Sequence, residues 1–222
     1  DMAARRSGPA GYDVYIWIDV DCWVQKWATV DWLIQGASNG VLCITAELDR
    51  AYLQFCGQSV LFDWANRTHE TFFGETVASR LRNFAVLNSG VFALRRDSSL
   101  WALWDQNMRD ALLINYDFFA KKFGLRKAVY TEDFPRNILP TTCNWLANHG
   151  LILFNAETST FAEPNLPRLP LGIIHLPGGS KNKEHHIQVL DRGTLMKTNL
   201  RFSPSRRDKP APDASLIKAA GS

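Results

Sequence analysis

The chain is short of cysteine: Cys22, Cys43, Cys56 and Cys143 are the only four in 222 residues. None forms a CxxC pair or any zinc-type spacing, so a zinc module is not indicated. Three of them sit in apolar surroundings and read as small core residues, and this usage points to a reducing compartment, hence a cytoplasmic location. No apolar run is long enough to cross a bilayer. The opening DMAARRSGPAGYD has an Arg pair but no apolar stretch behind it that would serve as a signal. An excess of charge is missing too: the formal charge is +3, and the Arg pairs (Arg5-Arg6, Arg95-Arg96, Arg206-Arg207) are scattered rather than gathered in a stripe. That suits a small anionic ligand and speaks against nucleic acid as a partner. Repeats are absent. What is present is a core, since 46% hydrophobic residues and eight tryptophans exclude a disordered chain.

The length suits one α/β domain, or one and a half. YDVYIWID (12–19) is β-branched and aromatic and reads as a first strand. ATVDWLIQGA (28–37) has helical spacing with a stop signal after it, and GVLCITAE (40–47) reads as a second buried strand. Residues 48–81 are mostly helical in pattern, with breaks near Gly57 and Gly74. NFAVLNSGVFALRR (83–96) reads as two apolar runs interrupted by NSG, where Gly90 suggests a bulge or a close backbone approach. The longest amphipathic helix is expected over 97–123, capped by Ser98 or Ser99 and ended by Gly124. Residues 130–150 read as a short helix and a loop, with Pro135 near the helix start. LILFNA (151–156) and GIIHL (172–176) read as strands, and PGGSKNKEHH (177–186) as a Gly-rich polar loop. The segment 203–222 reads as a mobile tail. Strands alternating with helices imply an α/β sheet, in which ligands sit beyond the carboxyl ends of strands. Polar clusters follow three strands here: Asp19 with Asp21, Asn88 with Ser89, and His175 with Gly178-Gly179. If those strands are neighbours, the clusters converge on one site.

Asp19-Val20-Asp21 ends an apolar strand with two carboxylates. In an extended segment alternate residues share a face, so both could serve one site. Two close anions repel unless a proton or cation relieves them, and a hard divalent ion does so. The competing reading is a strand end with both aspartates solvated. A DxD after a strand also occurs in phosphatases of the haloacid dehalogenase class, but the position where these carry Thr or Val is Trp23 here. His175, beside a Gly-Gly turn and Lys181, offers an imidazole ligand and a phosphate-binding charge. Asn88 can donate and accept at once, which suits sugar hydroxyls, though a simple turn explains it equally. Glu132, Asp133 and Asn137 read as acidic and polar residues near a helix start, with a helix cap as the plain alternative. Trp101 and Trp104, three apart on a predicted helix, read as core.

Taken together, WIDVD, LNSGVFAL, TEDFPRN and IIHLPGGSK, in that order over residues 12–185, resemble the metal-dependent GT-A glycosyltransferases, most closely glycosyltransferase family 8. The resemblance implies a GT-A-like mixed sheet flanked by helices over residues 11–202, and transfer of a hexose from a nucleotide sugar, usually UDP-linked, with retention. It implies Mn²⁺ or Mg²⁺ on Asp19, Asp21 and His175. The donor diphosphate would lie on Lys181 and the Gly178-Gly179 backbone. Asn88, beside Ser89, would bind the donor sugar, and Glu132, Asp133 and Asn137 would line the sugar and acceptor side. The family usually has Gln where this chain has Asp133, which puts an anion beside the anomeric carbon as electrostatic support or as a nucleophile. The family also carries a βαβ half before its DxD strand. Only about a dozen residues precede that strand here, so most of the nucleotide pocket is expected to be missing and an open sheet edge to be left for pairing with another chain. The rival expectation is a non-catalytic GT-A-like module that binds a partner or a glycan.

Overall fold

The computed structural model describes residues 11–52 and 58–202. The break expected near Gly57, Cys56 and the tail expected from residue 203 lie outside them. The chain is mixed α/β and divides into two compact units, each made of separate chain segments. Among the described residues the first unit takes 11–18, 30–49 and 58–141, and the second takes 19–29, 50–52 and 142–202.

The first unit is built on a four-stranded sheet of order β1-β4-β3-β5. Its strands are β1 (Val14–Ile18), β3 (Leu42–Ala46), β4 (Leu87–Arg95) and β5 (Arg136–Leu139). β4 is antiparallel to both β1 and β3, whereas β3 and β5 are parallel. Among the described residues four helices lie wholly or mainly in this unit: α1 (Ala28–Ala37), α2 (Gln58–Leu81), α3 (Leu100–Ile114) and α4 (Ala120–Thr131). The core joins Leu42, Ile44, Phe92 and Leu94 of the sheet to Trp104, Leu125 and Val129 of the helices. Trp104 is buried and stacks on the half-buried Trp101, as its spacing predicts. α1 and β3 form where the periodicity puts them, and α2 breaks at Gly74, whose φ of 79° is left-handed. NSG lies inside a single nine-residue strand, not between two runs. Ile44 faces Phe92 but Thr45 faces Asn88, so Ser89, Gly90 and Val91 are extra residues on β4.

Two further expectations fail here. The helix predicted over 97–123 is two helices. Asn115 leaves α3 in an extended conformation, and the Asp117 carboxylate accepts the Phe119 N–H at 2.8 Å to open the next turn. Gly124 ends nothing: it lies inside α4, where a Cβ would stand 3.0 Å from the Met108 backbone nitrogen, so it serves the close approach of α3 and α4. The second failure is 130–150, where no α-helix starts: α4 ends at Thr131, and the only helical turn that follows is the short 3-10 turn Thr141–Asn144. TEDFPRN is a helix end. Phe134 N–H donates to Val129 O at 2.8 Å across Asp133, which holds the left-handed φ of 47° that usually belongs to glycine at this place. Pro135 then excludes helix for Phe134, and β5 begins at Arg136.

Among the described residues the second unit has two small sheets. One is β2-β9-β6, with β2 (Cys22–Val24) antiparallel to β9 (Ile173–His175) and β9 parallel to β6 (Trp145–Leu146). The other is β11-β10-β7-β8, of β7 (Leu153–Asn155), β8 (Thr160–Ala162), β10 (His185–Val189) and β11 (Thr194–Thr198). Trp145, Phe154, Phe161, Leu171, Ile174 and Ile187 pack into one core with Tyr52. Gln25 fastens β2 to its surroundings: its amide donates to Phe161 O and Leu171 O and accepts from Phe161 N–H.

Candidate functional site

The Asp-Val-Asp stretch is a tight turn, not an extended segment. Cys22 N–H donates to Asp19 O at 3.0 Å, and Val20 stands fully exposed at the tip. The two carboxylates therefore do not share a strand face as predicted. Asp21 is the one carried into a cluster, because Leu176 N–H donates to Asp21 O at 2.9 Å and Cys22 pairs directly with His175.

His175 is buried at the end of the central strand of its sheet. Its Nε2 lies 3.3 Å from Asp21 Oδ1. Its Nδ1 lies 3.0 Å from Asn144 Oδ1. With the amide oxygen toward the ring, Nδ1 is the donor and Nε2 presents its lone pair to a carboxylate, so a proton or a cation belongs between them. Turning the Asn144 amide over gives the other assignment, Nε2–H donating to Asp21. Lys181 Nζ is 4.0 Å from the second Asp21 oxygen. Its loop is a short 3-10 turn, Gly178–Asn182, held by Arg201, which donates to Lys181 O at 2.8 Å and Asn182 Oδ1 at 2.7 Å. Gly178 has φ 58° and nothing within 4 Å of a built Cβ, so backbone conformation rather than space requires glycine there.

Cys22 joins Asp21 and His175, with ligand atoms within 4.8 Å of one another. Asp19 does not belong to that group of three, so among the described residues the metal-capable set is Asp21, Cys22 and His175 in place of the expected Asp19, Asp21 and His175. Burial first, then the negative charges of Asp21 and Asp19, push the Cys22 thiol well above its ordinary range. Cys43 and Cys143 are buried, and Cys43 is pushed up to about 11 by burial.

The remaining expected residues belong to the first unit. Asn88 is buried and spans the bulge: it accepts the Gly90 N–H at 2.8 Å and donates to Glu47 Oε1 at 2.8 Å. The same Glu47 oxygen accepts from Lys122 Nζ at 2.5 Å. Ser89 is buried beside it. Asn137 sits on β5 opposite Cys43. Glu132 is the C-cap of α4, not a residue of a helix start. Asp133 is 94% exposed at its side chain and pairs with Arg136 at 3.3 Å.

Four residues of these clusters were not anticipated. Glu47 follows β3 as Asp19 follows β1, a carboxylate after an apolar strand, and that signal could have found it. Cys22 looked like a core residue. Lys122 and Asn144 lack a local pattern.

Compared with models of known protein families and with curated proteins, the chain matches none. No helix among the described residues is long and apolar enough to cross a membrane.

Proposed function

We propose that this chain carries the metal-binding and acceptor-side part of a GT-A-type, divalent-metal-dependent glycosyltransferase, moving a hexose from a nucleotide sugar, UDP-linked, to an acceptor with retention. The observation that carries the reading is the Asp21 carboxylate set between His175 Nε2 at 3.3 Å and Lys181 Nζ at 4.0 Å. A lone pair facing a carboxylate is a donor set that a dication fits. Mn²⁺ or Mg²⁺, when bound, would offset the negative charge that develops on the diphosphate as its bond to the sugar breaks.

The chain's own groups divide the remaining work. Asp21 and His175 would hold the ion, and Asn144, against Nδ1, fixes the imidazole ring. Lys181 supplies a mobile point charge to diphosphate oxygens, on a loop that Arg201 keeps in place. Within the first unit by itself, Asn88 spends its oxygen on Gly90 and one amide hydrogen on Glu47, which leaves one hydrogen for a hydroxyl group. Ser89 and Asn137 take the sugar side only as the sequence resemblance implies. Glu132 and Asp133 act on the acceptor side. An exposed carboxylate in water is a poor covalent nucleophile, so Asp133 serves as electrostatic support. Thiols at Cys22 and Cys43 fit work in the cytoplasm.

The test is hydrolysis of UDP-sugars by the chain with and without Mn²⁺. Wild type is expected to be stimulated by the metal, and Asp21→Asn to lose the stimulated rate by more than about tenfold. An Asp21→Asn rate equal to wild type refutes the metal role.

A further inference from the structure

The donor set at Asp21 is not the all-oxygen set of a hard cation. Cys22 and His175 are directly opposite in the antiparallel pair of β2 and β9, so their side chains leave the same face. The Cys22 sulfur, a His175 ring nitrogen and an Asp21 oxygen all lie within 4.8 Å of one another. Side-chain rotation of roughly 1 Å per donor brings such a group to the spacing around a tetrahedral ion. His175 is already prepared for ligation. Nδ1 is taken by Asn144 Oδ1 at 3.0 Å, which leaves Nε2 as the coordinating atom. Asn144 is itself 1% exposed, on the turn leading into β6, the neighbour of β9. A buried carbonyl holding the far nitrogen of a histidine is the usual outer support of a metal-bound imidazole.

We propose that Cys22, His175 Nε2 and Asp21 form a thiolate-containing site that takes Zn²⁺ in preference to Mn²⁺ or Mg²⁺, with Asn144 as its positioning residue. The inference rests on the reading that Asp21 and His175 hold a metal, and it changes which metal. Sulfur selects borderline and soft ions, whereas Mg²⁺ and Mn²⁺ favour carboxylate, carbonyl and water oxygens. Binding releases the Cys22 thiol proton to solvent, so the ion replaces one proton and needs no oxidant or reductant. Three protein ligands leave a fourth position for an exogenous oxygen, the pattern of zinc sites that act on a ligand.

The test uses the full chain, stripped of metal by a chelator and titrated with Co²⁺, whose spectrum reports its ligands. The expected result is a near-ultraviolet sulfur-to-cobalt charge-transfer band that saturates at one ion per chain and is displaced by Zn²⁺ but not by an equal excess of Mg²⁺. Cys22→Ser should lose the band and bind Zn²⁺ at least tenfold more weakly, Cys143→Ser should keep the band, and Asn144→Ala should weaken Zn²⁺ by about 10- to 100-fold. Circular dichroism checks that each variant is folded, and the wild-type spectrum stands whether or not they are. Cobalt binding without the charge-transfer band, or a Cys22→Ser chain that keeps wild-type Zn²⁺ affinity, overturns the proposal. The two readings fail separately: Mn²⁺-stimulated hydrolysis without a thiolate band sinks only the zinc site, and a thiolate band with no metal-stimulated hydrolysis sinks only the transferase.

Discussion

Acid should destabilise this protein through one histidine that no expected function uses. His69 lies on α2 with none of its surface exposed, its ring 4.7 Å from that of Phe123 and 5.9 Å from that of Phe73. Among the described residues neither ring nitrogen has a hydrogen-bond partner. Burial first, then the positive charges of Arg126 and Lys127 on α4, lower its pKa to about 3. A base with a depressed folded pKa stays neutral in the native state while the unfolded chain takes up a proton below about 6.5. The unfolded state then binds more protons, so stability is intact above pH 7 and is lost as pH falls from about 6.5 toward 3. At about 1.4 kcal/mol per pH unit, His69 alone removes about 2 kcal/mol between pH 7 and pH 5. The assay is urea unfolding at both pH values for wild type and His69→Phe, which keeps a flat ring among Phe72, Phe73 and Phe123. Carboxylates elsewhere contribute equally to both proteins, so the difference between their pH dependences isolates the imidazole. Wild type should lose about 2 kcal/mol more than the variant. Equal losses would refute the burial of an uncharged ring.

Other substitutions test other joints of the structure. Lys122→Met strands the buried Glu47 carboxylate and should cost about 3–5 kcal/mol in chemical denaturation, with Glu47→Gln added to it restoring part of the loss. Gly36→Ala brings a Cβ to 2.4 Å from Cys43 Sγ, so it should cost about 1–3 kcal/mol, and Cys43→Ala should make the double variant less unstable than the two single effects added together. Gly124→Ala should also destabilise by about 1–3 kcal/mol despite alanine's better helix propensity, because the atoms it meets are Met108 backbone and cannot rotate away.

Much of the fold could be read where one strong local signal acted alone. α1, β3, the Gly74 break and the bulge at Gly90 follow from periodicity or from glycine. Errors arose where two signals competed. Gly124 looked like a helix stop because its use, close packing on Met108, is tertiary. The stops that operate are Asn115 and Asp117, whose local hydrogen bonding outweighs the apolar pattern running through them. Asp133 looked like the start of a helix because acids favour that end, whereas its left-handed backbone closes one. At the candidate site, Asp21, His175 and Lys181 were legible because each stands beside a strand end or a glycine turn. Cys22 was not, since only the register of β2 against β9 sets its sulfur beside the imidazole.

That register also fixes a schedule. Cys22 is made long before the strand it pairs with, which ends at His175. All four strands of the first unit's sheet are complete by Leu139, whereas β2 has no partner until Ile173–His175 has been made. A nascent chain therefore carries an unpaired strand until Ile173–His175 has been made, the kind of edge that attracts chaperones or misplaced neighbours. Chains that stop short of Ile173 should accumulate with β2 still open, and their yield in soluble form should depend on what covers it.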